Sequence, residues 1–298
     1  MQVNTLYLLV SRAKLGGNSE QSLVAAAQAA GMRHQLLVVD DIMLDDIASM
    51  EFAGSNLLYR VSTGAKASTV ESALMAYHGS NLTNIYWPKL RLGPTRRYAE
   101  MVEQMAAGLP VIPTSLVDET WLTMGDDELQ AKVTQLGGFP VLYKTLGLAH
   151  GQGIQKLASL QELRAEVQKT VDHQGEALLR EYLPEYRHFR VIVVDGTAVA
   201  TIEYHKPADD FRTNATNAPD VSAVSVADVN PTVRSIALRS VELAASIIGG
   251  VDVLLDTKKQ VAYLAEVNVP CNFSRAEGPT DVNIGQHIVE ALIRKAQA

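Results

Sequence analysis

Glu266 and Asn268 stand two residues apart near the end of the chain, and Asp252 lies upstream within Val251-Asp252-Val253. On a β-strand, residues two apart project to one face, so Glu266 and Asn268 point together. A hairpin would carry Asp252 onto the neighbouring strand to face them, in a register the sequence leaves open. Two carboxylates and an amide oxygen form a hard, all-oxygen donor set. Magnesium takes such a set when phosphate oxygens complete its octahedron. The plain alternative is a polar strip on a solvent-facing edge strand.

A second signal is the apolar run from Phe139 that ends in Lys144 and is followed by Gly147, Gly151 and Gly153. A lysine leaving an apolar strand is well placed to meet a phosphate, and glycines let backbone N–H groups approach phosphate oxygens. Neither the spacing nor the flanks fit a Walker loop or a dinucleotide fingerprint. A glycine-rich hairpin with one surface lysine is the rival reading. Third comes Asp210-Phe211-Arg212-Thr213-Asn214. Arg212 offers a planar fork of donors for phosphate or carboxylate, with Asn214 on the same side if the segment is extended. Taken by itself, the segment is better explained as an Asp/Asn-stabilised turn.

The elements needed to hold these residues can be read from the pattern. Short apolar strands (Leu6–Val10, Gln35–Val39, Asn56–Arg60 and Asn84–Trp87) alternate with helices, one capped at Ser19 and one over Ser68–Tyr77. That alternation predicts a parallel sheet covered on both faces. Helices are expected over Thr95–Ala107, Asp126–Leu136, Ser159–Asp172, Pro231–Ile248 and Ile284–Lys295. Strands Phe139–Thr145 and Ala177–Leu183 lie between. Asp195-Gly196 joins Phe189–Val194 to Ala198–Tyr204 as a two-residue hairpin, and Asp256–Lys259 turns Val251–Leu255 back into Gln260–Asn268.

Composition excludes several classes. A formal charge of −7 without a Lys/Arg run argues against a nucleic-acid surface. No apolar run approaches the ~20 residues that span a bilayer, and the start has no basic segment ahead of its apolar stretch. With the single Cys271, an internal disulfide is ruled out and a reducing, cytoplasmic setting is expected.

In their order, the lysine strand, glycine loop, Phe-Arg-x-Asn, Val-Asp and Glu-x-Asn resemble the RimK-like branch of the ATP-grasp superfamily, across roughly residues 90–298. The resemblance implies α/β and α+β architecture: an ATP-grasp fold behind an N-terminal Rossmann-like domain. It divides the chain into an N-terminal domain over 1–95, a linking helix and strand over 96–115, a lid over 116–180 and a C-terminal subdomain over 181–298. It also implies a ligase that joins a small-molecule or peptide carboxylate to an amine through an acyl-phosphate. ATP would be gripped by Arg97, Lys144, Gly151, Gly153, the hinge Glu181-Tyr182-Leu183, and Arg190. Asp252, Glu266 and Asn268 would bind one or two magnesium ions, with manganese an acceptable substitute. Arg212 and Asn214 would face the transferred phosphoryl group. A homo-oligomer is compatible with this reading.

The chain departs from that branch at several places. Arg96-Arg97 stands where an Asp-Lys pair is usual, and His188-Phe189-Arg190 where Asp-x-Arg is usual. Tyr204 replaces a common strand-end arginine, and Asn217-Ala218-Pro219 replaces a glycine pair. Glu181 or Glu185 is left to reach the ribose in place of the missing acid. Arg12 and Arg60, at the ends of N-terminal strands, are candidates for gripping a carboxylate, with plain surface arginines as the alternative. A non-catalytic nucleotide-binding homologue and an ATP-dependent phosphotransferase remain as rival functions.

Overall fold

The computed structural model describes residues 3–86, 97–146, 153–173, 175–207, 210–213 and 220–298, apart from the side chains of Leu44 and Arg97. Its strands form three sheets. The first is parallel, in the order β2 (Arg33–Val38), β1 (Val3–Val10), β3 (Ser55–Arg60), β4 (Leu82–Thr83). Alternation along β1 and β3 splits its apolar residues between two cores. Leu6, Leu8, Leu57 and Tyr59 face α1 (Asn18–Ala29) and the C-terminal α9 (Ile284–Gln297). Leu9 and Leu58 face α2 (Leu44–Ser49) and α3 (Ala65–His78). Helices therefore cover both faces, as continuous apolar strands require.

The second sheet is antiparallel and ordered β5 (Thr114–Val117), β8 (Ala177–Glu181), β6 (Val141–Thr145), β7 (Ile154–Leu157). Val141, Tyr143, Leu157, Ala177 and Leu179 pack one face onto α5 (Asp126–Gln135) and α6 (Leu160–Asp172). Ser159 caps α6 by accepting from the Glu162 amide at 3.2 Å. The period of two sends Lys144, Lys156 and Arg180 to the opposite face, since Lys144 pairs with Ile154 and Leu178, and Leu142 with Lys156 and Arg180.

The third sheet is ordered β11 (Val221–Ala223), β10 (Thr197–Tyr204), β9 (Tyr186–Val194), β12 (Ile248–Asp256), β13 (Val261–Asn268). α7 (Pro231–Leu243) covers the face formed by Phe189, Val191, Val193, Val251 and Val253. The other face changes along its length. At one end Ile192, Val194, Ile202 and Ile248 join the core shared with α1 and α9; at the other end stand His188, Arg190 and Asp252.

Several boundaries differ from the sequence expectation: in place of a strand over Asn84–Trp87 the sheet ends in β4, and Tyr86 makes an isolated bridge to Ser246. α7 ends at Leu243 instead of Ile248, because Ala245 takes a left-handed φ of 48° and Ile248 already pairs with Val194 in the sheet. Ser19 does not cap α1, which starts at Asn18; Glu20 closes that end by accepting from the Gly16 amide at 3.1 Å. Near the other terminus Lys295 donates to the Asn84 carbonyl at 2.8 Å and to that of Tyr86. Burial lowers its pKa to about 8. A lowered lysine pKa favours the folded state as pH rises from about 8 towards the unfolded value. Lys295→Met should abolish that alkaline gain, measured by denaturant unfolding at several pH values; an unchanged pH slope would contradict it.

Candidate active site

β12 and β13 pair antiparallel with Asp252 opposite Glu266 and Gly250 opposite Asn268, so all three oxygen-bearing side chains share one face. A register shift beyond Asp252 places Val253 opposite Leu264, and this bulge restores the alternation that buries Val253 and Leu264. The strand can lie this close to its neighbours because Gly250 has no side chain: a Cβ there would meet that of Cys271 at 2.6 Å. Burial pushes the Cys271 thiol up to about 12, so it carries no reactive thiolate.

β9 runs along the other side of β12, pairing Arg190 with Asp252. Arg190 donates from Nε to Asp252 Oδ1 at 2.8 Å and from Nη2 to Oδ2 at 2.5 Å, a bidentate fork. His188 Nε2 lies 3.0 Å from Oδ1, and Asn268 Nδ2 donates to Oδ2 at 3.1 Å. Burial alone would raise this carboxyl; Arg190 and His188 outweigh it and hold Asp252 far below the ordinary carboxylate range. For Arg190, burial is likewise overcome by Asp252, and its pKa rises.

The second sheet reaches this face through Lys144, whose Nζ donates to Glu266 Oε2 at 3.3 Å. Arg180 donates to the Ala265 carbonyl at 3.5 Å. At the junction of the two sheets, Lys156 Nζ lies 5.3 Å from the centre of the Tyr182 ring and 5.9 Å from that of Phe211. Two carboxylates at and beyond the end of β8 are tied to the β12–β13 turn: Lys259 to Glu181, and Lys258 to Glu185 at 2.9 Å. Arg212 is folded back onto Asp210, its Nη2 donating to Oδ2 at 2.8 Å. That bond lowers the Asp210 pKa and raises that of Arg212. Cationic groups from one sheet thus meet an oxygen-rich hairpin from another.

Residues 109–292 match the RimK-like ATP-grasp domain, more than half of the chain. The protein belongs to the RimK-like ATP-grasp family. Over 202 residues it is 24% identical to the ribosomal protein bS6–L-glutamate ligase of Escherichia coli O81, covering 67% of this chain and 63% of that protein. A probable alpha-L-glutamate ligase of Citrobacter koseri gives the same identity and coverage. The match therefore spans less than two thirds of the length of these relatives. Among solved structures, the ATP-grasp ligase PsnB with a phosphomimetic precursor variant, Mg and ADP superposes with a TM-score of 0.73 at 17% identity, over 99% of this chain and 100% of that one. D-alanine–D-alanine ligase from Bacillus anthracis gives 0.73 at 16%, over 99% of each chain. These likenesses establish the ATP-grasp fold for the whole chain.

Within this RimK-like fold, Lys144, Arg190, Asp252, Glu266 and Asn268 come together. Glu181 ends β8, and Tyr182 and Leu183 follow it, with Leu183 buried. Gly153 takes a left-handed φ of 72° directly before β7. Gly147, His150, Gly151 and Asn214 lie outside the described residues, as does the side chain of Arg97, which heads α4 (Arg97–Ala106). Arg60 is neither a substrate grip nor a surface group: it is 5% exposed and pairs with Glu71 at 2.7 Å. Arg12 is exposed and contacts Asp41.

Register also explains two departures at once. His188 and Tyr204 are cross-strand partners, and their rings stack with centroids 4.7 Å apart. Side chains directly opposite on adjacent strands pack on each other, so each ring is part of the other's surroundings. Lys156, His188 and Thr213 join the site without a motif of their own; the two-residue spacing of His188 and Arg190 on one strand is the trace they leave in the sequence.

The donor set suits a hard divalent cation at two of its three members. Asn268 uses its amide nitrogen on Asp252 and on the Gly250 carbonyl, which leaves Oδ1 as the atom that could meet a cation. Glu266 sits beside it, a quarter exposed. Asp252 differs: an ionised carboxylate has about four acceptor positions, and the fork of Arg190, His188 and Asn268 occupy them.

Proposed function

We propose that this protein is an ATP-dependent carboxylate–amine ligase that forms an amide or peptide bond through an acyl-phosphate and releases ADP and phosphate. The observation that supports it best is the meeting of Lys144 with Glu266, which sets a cation suited to phosphate opposite a carboxylate suited to a metal where two sheets meet. ATP would lie at that junction, adenine at the hinge Glu181–Leu183 and phosphates between Lys144 and the β12–β13 pair. Magnesium, as one or two ions and replaceable by manganese, would be held from the hairpin and would supply charge neutralisation on the phosphates. Lys144 would exchange its carboxylate partner for a phosphate oxygen. Arg190, locked by Asp252, presents a fixed positive charge beside the same position, and such preorganised donors stabilise charge as it develops. Arg212 and Asn214 would face the transferred group, and residues 147–153 would exclude water from the acyl-phosphate.

The named activities of the relatives suggest the substrate class: a peptide or amino-acid carboxylate, with an amino acid supplying the amine. A cytoplasmic location accords with this, and no described helix is long and apolar enough to cross a membrane. The direct test is ADP release from ATP and magnesium across a panel of amino acids and short peptides, with mass analysis of products. Substrate-dependent ADP and an amide product are expected. A phosphorylated end product would indicate a phosphotransferase, and binding of ATP without turnover on any member would refute the ligase reading. Lys144→Ala should raise the ATP concentration for half-maximal rate about tenfold or more, the loss expected for a charge-assisted hydrogen bond. An unchanged ATP dependence would remove Lys144 from the site.

A further inference from the structure

Asp252 is 5% exposed. Both its oxygens are engaged, Oδ1 by Arg190 Nε and His188 Nε2, Oδ2 by Arg190 Nη2 and Asn268 Nδ2. A metal ion approaching this carboxylate would have to displace Arg190, His188 or Asn268, and loss of the arginine would leave a guanidinium 15% exposed without its counter-ion. The opposite end of the His188 ring carries the contact further: Nδ1 lies 2.5 Å from Thr213 Oγ1. Thr213 is 5% exposed and adjoins Arg212. A continuous chain of polar contacts therefore runs from β12 through His188 on β9 to the segment that bears Arg212, braced from the side where Tyr186 donates to the Phe211 carbonyl at 3.0 Å.

We infer that Asp252 is a positioning carboxylate and not a metal ligand. It anchors Arg190 directly and the Arg212 segment through His188 and Thr213, and this protein takes a single divalent ion, held by Glu266 and Asn268. The inference rests on the nucleotide-binding reading above and sharpens its ion count. Magnesium is commonly bound through one or two protein carboxylates with phosphates and water completing the shell, so Glu266 with Asn268 is a sufficient protein share.

Counting manganese by electron paramagnetic resonance on the protein saturated with ADP tests this without any turnover. The wild type should bind one Mn²⁺ per chain. Asp252→Asn should keep that ion with affinity weakened about tenfold, because Asn268 loses the acceptor that orients it, whereas Glu266→Gln should weaken it more than about a hundredfold, a loss of over about 2.8 kcal/mol. The ¹⁵N imidazole resonances of His188, assigned by their disappearance in His188→Phe, should move in Asp252→Asn. Two ions per ADP-loaded wild-type chain would overturn the proposal whatever the variants do, as would equal metal loss in Asp252→Asn and Glu266→Gln or unmoved His188 resonances. A wild-type chain that binds no ADP at any Mn²⁺ concentration would instead bring down the nucleotide reading, and this inference with it.

Discussion

Replacing Glu266 with glutamine is expected to lower substrate-dependent ADP release by about 10²–10³-fold, the range seen when one charge-stabilising group is removed from a preorganised site. The side chain is 24% exposed, and its neighbour Lys144 is 18% exposed. The partly exposed ion pair between them, 3.3 Å long, contributes little to folding, and glutamine keeps the shape. The melting temperature should therefore stay within about 2 °C of wild type, because a few tenths of a kcal/mol moves it little in a chain of this size. Glutamine retains one carbonyl oxygen but no charge, so excess magnesium should recover only part of the rate. Turnover at the wild-type level, at ordinary magnesium, would detach this hairpin from the reaction. A large fall in melting temperature would show instead that Glu266 is structural.

Much of this site was legible because its parts are local. The hairpin at Asp256–Lys259 and the one at Asp195-Gly196 follow from turn chemistry that operates over a few residues. The strand period of two placed Glu266 and Asn268 on one face before any partner strand was known. Lys144 could be singled out because a cation ending an apolar strand sits poorly in a core. The α7 boundary was misjudged for the opposite reason. Ala244, Ala245 and Ser246 are compatible with a helix, and Ile247-Ile248 continues its apolar pattern. The pairing of Ile248 with Val194 decides against it, and that partner lies more than fifty residues away.

The same distance hides what Asp252 does. Its spacing from Glu266 and Asn268 fits a third ligand, and the contacts that argue for an anchoring role come from elsewhere in the chain. The lateral pairing of β9 with β12 sets Arg190 directly opposite it, with His188 two residues along the same face. Registers between strands sixty residues apart depend on how whole sheets pack, which no local motif encodes. His188 illustrates this most clearly. Read alone it is a departure from an Asp-x-Arg pattern; paired with Tyr204 and joined to Asp252 and Thr213, it is part of a connected polar network. A motif thus identified which residues meet, while the question of which of them remain available to a ligand belongs to the tertiary structure.

Arg60→Met should destabilise the protein by about 3–5 kcal/mol, the usual consequence of removing one partner from a buried ion pair. Arg60 and Glu71 have side chains 6% and 5% exposed and meet at 2.7 Å. Arg60 also donates to the Ser62 carbonyl and to Tyr86 Oη, each at 3.1 Å, and Tyr86 in turn donates to the Val269 carbonyl at 3.1 Å. Burial lifts the Glu71 carboxyl above its ordinary range even though Arg60 opposes it. A carboxyl raised in the folded state favours folding most in acid, and that contribution is lost as pH rises through the folded pKa. Without Arg60 the folded value climbs further, so the penalty of Arg60→Met should grow from pH 5 to pH 8 in denaturant titrations. Joint replacement, Arg60→Met with Glu71→Met, should recover most of the loss, since it removes the stranded charge as well. A single variant that costs less than about 1 kcal/mol, or a double variant no better than the single, would mean that this pair does not hold the first sheet together. Because the chain of contacts ends at Val269, next to Asn268, the repaired double variant should still show weaker metal-dependent nucleotide binding than wild type: stability can be restored by apolar packing, but the brace on β13 runs through the arginine.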